Sequence, residues 1–134
     1  MPIIYTEAAG LEHHVKVGPT HSCVDLVKEF TALRHHSTGA WREGAKVLDN
    51  RNMIAGTAIA TFVRGRYPNQ AHNNHAAFFL RHGPNGFWVI DQWAEDRYKP
   101  RVSARYISSF GRNRDGTYPR ASDNADAFSI IELN

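Results

Sequence analysis

The chain has 134 residues, 42% of them hydrophobic and 22% charged, which fits one folded domain over residues 1–134 and excludes a disordered chain. A single cysteine excludes an internal disulfide, and no apolar run reaches membrane-spanning length, so no membrane insertion is expected. The net charge of +3 comes from scattered Lys and Arg with no dense basic run, so nucleic acid is not an expected partner; the charge reads as that of a soluble, mildly basic protein, with an anionic cell-wall polymer as the sharper alternative.

Residues 1–20 read as an irregular lead-in ending at Gly18-Pro19. Met1 to Glu7 lacks a basic start and an apolar stretch, so no signal peptide is expected; specialised secretion machines leave no such mark. An amphipathic helix is predicted from Cys23 to about His35, because Cys23, Leu26, Val27, Phe30 and Leu33 recur at helical spacing. Ser22 and Asp25 have the spacing of a capping box. Ser37-Thr38-Gly39 stops this helix, and Trp41 is expected in a loop with Arg42, Glu43 and Gly44.

Strands are predicted at Thr57–Val63, His75–Leu80, Phe87–Asp91, Arg101–Ile107 and Ala127–Leu133. Gly83-Pro84-Asn85-Gly86 is strong turn chemistry between the second and third of these, and residues 110–125 read as an exposed loop. One helix followed by a mostly antiparallel sheet is an α+β domain.

Cys23 carries the chemistry. A thiol in the first turn of a helix faces unpaired N–H groups and the positive end of the helix dipole, and both favour the thiolate. With histidines elsewhere, that is the arrangement of a cysteine nucleophile; a small buried core residue is the alternative. His75 begins an apolar strand, where it would be held rigidly as a general base. Asp91 ends the returning strand. An odd-numbered loop puts His75 and Asp91 on one face, whereas a two-residue turn gives that face to Gln92. Asp91 is preferred as the third member of a triad because a charge stabilises an imidazolium better. Tyr67 and Trp41 are candidates for cleft wall or core. His72 and His75 have a His-x-x-His spacing, but no third ligand converges, so no metal and no cofactor are expected.

The order of cysteine opening a helix, histidine starting a strand and a polar residue on the next strand resembles the papain-like cell-wall peptidases of the NlpC and CHAP groups. Closer resemblance lies in Cys23 to Lys28, Gly56 to Phe62, Gly65 to Asn69, Asn74 to Ala77 and Val89 to Trp93. These segments resemble the type VI secretion amidase effectors, most of all the third family of those toxins. The resemblance implies a papain-like fold with the nucleophile helix on the sheet, and a cysteine peptidase that cuts peptidoglycan stem peptides at the D-Ala to diaminopimelate bond. It places nucleophile, base and third residue on Cys23, His75 and Asp91. It also implies the type VI secretion machinery and a cognate immunity protein as partners. The toxin would be made in the bacterial cytoplasm and act in the periplasm of a target cell. A phage-type or housekeeping wall hydrolase, or a non-catalytic wall- or nucleic-acid-binding module, is the alternative.

Overall fold

The computed structural model describes residues 2–70 and 72–133. One α-helix and a six-stranded sheet form an α+β fold. Helix α1 spans Cys23–Glu29; the strands are β1 (Trp41–Lys46), β2 (Ala58–Thr61), β3 (Ala76–Gly83), β4 (Gly86–Asp91), β5 (Ser103–Ser108) and β6 (Phe128–Leu133). Their order across the sheet is β1-β6-β2-β3-β4-β5, and every neighbouring pair is antiparallel.

Both faces of the sheet are covered, which explains why the central strands read as continuous apolar runs rather than as alternation. On one face Leu26 and Val27 of α1 pack with Phe78, Ile90, Trp41 and Ile131. On the other, Ile59, Phe79, Phe87, Val89, Ile107 and Phe128 form a second cluster under the segment that precedes β6. The lead-in is tied to the sheet: Tyr5 N–H donates to Gly56 O at 2.9 Å, and Ala58 N–H donates to Ile3 O at 2.8 Å. Gly56 has φ +95°, and a Cβ there would lie 2.0 Å from Tyr5 O, so only glycine fits this approach.

Three expectations need correction. The helix stops at Glu29 rather than near His35. Thr31 Oγ1 donates to Val27 O at 2.6 Å and accepts from Leu33 N–H at 3.1 Å, so its hydroxyl ends one helix and caps the 3-10 turn Ala32–His35. Trp41 lies in β1, not in a loop, and is fully buried. Residues 110–125 are not simply an exposed loop. Asn124 is fully buried; its amide donates to Gly111 O (2.9 Å) and Pro119 O (3.0 Å), and its Oδ1 accepts from Phe110 N–H and Asp126 N–H, both at 3.0 Å. One side chain thus replaces the ladder that this segment lacks.

Candidate active site

Ser22 opens α1 as its N-cap, its hydroxyl accepting from Asp25 N–H at 3.2 Å. The reciprocal half of the box is absent: Asp25 Oδ2 instead accepts from the backbone and hydroxyl of Thr20, both at 2.8 Å. The loop is therefore closed onto the helix start, and it places Cys23, partly exposed, at the first helical position. The first N–H groups of any helix have no intrahelical acceptor, so the sulfur sits among free donors.

His75 immediately precedes β3 and is 1% exposed. Its N–H donates to Thr61 Oγ1 at 3.0 Å, fixing the backbone. Its Nε2 bonds Asp91 Oδ2 at 2.8 Å, and Asp91 is fully buried at the end of β4. The β3–β4 turn has two residues, since Gly83 pairs with Gly86. Simple alternation would therefore have put Gln92 on the histidine's face. A bulge intervenes: Arg81 pairs with Trp88 but Phe79 with Val89, so Leu80 is an extra residue in β3. The bulge restores the odd count and brings Asp91 to His75. Gln92 turns elsewhere: its Nε2 donates to Val17 O (3.0 Å) and Ser22 O (2.7 Å), and its Oε1 accepts from Val17 N–H at 3.1 Å. It pins the loop that leads into α1.

The remaining ring nitrogen, Nδ1, is buried and has no hydrogen-bond partner among the described residues. The charges of His75 and of the Cys23 thiol act on each other. Burial pushes that thiol's pKa up, but the charge of His75 and the polar groups of His75, Ala76 and Tyr67 outweigh it, and the net direction is down. Burial pulls His75 down, yet the Cys23 charge and the bonds to Asp91 and Cys23 raise it to about 9. Asp91 is held low: burial opposes its ionisation, but His75 and Arg105 more than compensate. Burial and the Cys23 charge push the Tyr67 hydroxyl up, so it stays a donor towards the sulfur. These directions favour charge separation between thiol and imidazole above a buried carboxylate.

Sequence reasoning missed two supports. Arg105 in β5 donates from Nε to Asp91 Oδ2 at 2.9 Å, and from Nη1 to Asp123 Oδ1 at 2.7 Å. Trp93 stacks on His75 with centroids 4.2 Å apart and planes 16° apart, and the Arg105 guanidinium lies 5.1 Å from the indole. Arg105 was lost among scattered basic residues; β-strand parity between β4 and β5 was the one signal that could have selected it. Tyr67 is buried at 6% exposure beside Cys23, and Trp41 packs 5.0 Å behind it, so Trp41 belongs to the core and not to a cleft wall. His72 is exposed whereas His75 is buried, and among the described residues no three His, Cys, Asp or Glu side chains converge as metal ligands.

A family profile described as domesticated amidase effector 2 matches residues 6–131. The chain belongs to that family. It is 48% identical over 135 aligned residues to the type VI secretion amidase effector 2 protein of Salmonella typhi, covering 98% of this chain and 100% of that protein. It is 40% identical over 113 residues to the domesticated amidase effector 2 of Ixodes scapularis, covering 83% of this chain and 70% of that protein. Among solved structures, the type 6 secretion amidase effector 2 (Tae2) matches with a TM-score of 0.90 and 47% identity, over 98% of this chain and 94% of that one. The expected class, a type VI secretion amidase effector with a papain-like α+β fold, is the class found. The relatives carry the number two, however, where the motifs had resembled the third family.

Proposed function

We propose that this chain is a cysteine amidase that hydrolyses peptidoglycan stem peptides, in a single domain spanning residues 1–134. The observation that carries the reading is the buried 2.8 Å contact between His75 and Asp91, which leaves the other imidazole nitrogen to serve the partly exposed thiol of Cys23. The Cys23 thiolate attacks the amide carbonyl. The developing oxyanion is met by the Cys23 backbone N–H. The His75 imidazolium gives its Nδ1 proton to the leaving amine, and neutral His75 then takes a proton from the water that releases the acyl group. Asp91 holds the ring in orientation and stabilises its charge throughout.

The kinship with type VI secretion effectors supports delivery by that machinery, with synthesis in the bacterial cytoplasm and action in the periplasm of a rival. The D-Ala to diaminopimelate cross-link is the proposed bond, and a cognate immunity protein is the proposed partner in the producer. The test is incubation of purified sacculi with the protein and with Cys23→Ala, followed by separation of the released fragments. Cross-linked dimers are expected to disappear only with the unsubstituted protein, and the variant is expected to be slower by a factor of about 10³ or more. Dimers left intact by both samples would end the reading; equal cleavage by both would end the role of Cys23.

A further inference from the structure

Beside Thr61, which holds the His75 backbone, lies a second feature that the chemistry above does not use. A cleft of about 740 Å3 runs between the end of β2 with its following turn, residues 61–65, and the segment 112–121. That volume accommodates a short peptide. Cys23, His75 and Asp91 do not line the cleft, but both walls are joined to residues that hold the candidate active site. Thr61 lines the cleft and accepts the His75 N–H. Gln70 lines it too; its N–H donates to Asn74 Oδ1 at 2.7 Å, and the Asn74 amide donates to the Tyr67 hydroxyl at 3.3 Å. On the opposite wall Ala121 is followed by Ser122 and Asp123, the residues that hold Arg105.

Five charged side chains line this cleft, and they are not equally available. Glu43 accepts from Ser129 Oγ at 2.6 Å and pairs with Lys46 at 3.3 Å. Lys46 also donates to the Tyr118 hydroxyl at 2.8 Å. Asp115 is occupied by the N–H and hydroxyl of Thr117, at 3.0 and 2.6 Å. Both acids are thus satisfied internally. Arg64 has no ion pair or hydrogen bond among the described residues. Arg112 uses only Nε, towards Gly116 O at 3.1 Å, and its Cζ lies over the Tyr118 ring, 5.3 Å from the centre. Its two terminal nitrogens remain open to the cleft's ligand. An aromatic-backed guanidinium with an unused fork is suited to planar, bidentate recognition of a carboxylate.

We propose that this cleft is a substrate subsite, in which Arg112 and Arg64 bind a side-chain carboxylate of an acidic stem peptide while its amide lies at Cys23. The assignment rests on the amidase reading, and the test separates the two. The probes are a cross-linked muropeptide dimer and the same dimer with its side-chain carboxylates amidated. Arg112→Gln combined with Arg64→Gln is expected to raise KM for the free-acid dimer at least tenfold, the loss falling on KM and not on kcat. Amidation is expected to raise KM similarly for the unsubstituted protein and to add nothing in the double variant. Arg34→Gln, exposed on the helix side, serves as the charge-matched control. Unchanged KM in the double variant, or discrimination between the two dimers that the double variant retains in full, overturns the subsite. If the unsubstituted protein cleaves neither dimer, the amidase reading fails, and calorimetric titration of the free-acid dimer into Cys23→Ala decides the subsite alone. Binding that weakens tenfold on adding the two arginine substitutions sustains it; binding that is absent or unaffected by them removes it.

Discussion

Asp91 Oδ2 accepts from two cations at once, His75 Nε2 at 2.8 Å and Arg105 Nε at 2.9 Å. The carboxylate is fully buried, so it depends on both. If Asp91 steadies the imidazolium, Asp91→Asn removes a charge that raises His75, and the ring's pKa falls back towards 6.5. The rate as a function of pH is then expected to keep a neutral plateau in the unsubstituted protein and to decline as His75 deprotonates near pH 9. In Asp91→Asn that declining limb is expected to move to lower pH, with kcat reduced by about 10²–10⁴. A limb that stays in place would show that Asp91 does not set the charge of His75. The same shift has a sign for stability. A raised histidine contributes fully below about pH 6.5 and loses its contribution as the pH climbs through about 9. Arg105→Gln leaves a buried carboxylate with one partner fewer. It is expected to lower unfolding free energy by about 3 kcal/mol in urea titrations, and less where the partly exposed guanidinium is screened by solvent.

At the level of elements, the bulge in β3 decides which residue serves the histidine. Pairs on both sides of it are already matched, Arg81 with Trp88 and Phe79 with Val89. Deleting Leu80 should therefore leave His75 and Asp91 bonded. The cost is limited to the packing of a half-buried leucine, about 1–3 kcal/mol by thermal or urea unfolding. Loss of the low-field His75 N–H resonance in that deletion would show that the bulge also aims the ring. This element marks the limit of what sequence reveals. Turn chemistry located the hairpin at Gly83 to Gly86, and residue patterning located three further strands, β2, β5 and β6. Yet a bulge has no sequence mark where both faces of a strand are apolar, so Asp91 and Gln92 stayed in competition. Cys23 and His75 were legible because a helix cap and a polar residue at a strand's start are local features. Arg105 and Trp93 were not, because their roles come from strand pairing and ring stacking across the sheet. Trp41 was misplaced for a similar reason: Arg42-Glu43-Gly44 reads as loop, but pairing with Glu132 and Ile131 makes it strand.

For the molecule as a whole, β6 is last in the chain yet lies between β1 and β2. Trp41 pairs with Leu133, and Thr61 pairs with Phe128. Such long-range pairing predicts slow folding, on the order of milliseconds to seconds, in stopped-flow measurements. Ile131→Ala, at a fully buried position of β6, is expected to cost about 2–5 kcal/mol of unfolding free energy in urea. A loss under 1 kcal/mol would show that β6 is not integral to the core.

That strand order also governs when the molecule becomes chemically competent. Phe128 packs edge-on against the His75 ring, with centroids 6.4 Å apart. A ribosome-bound fragment ending before this aromatic has neither the middle of its sheet nor the support of its imidazole. The candidate site is thus complete only once β6 has taken its place in the middle of the sheet.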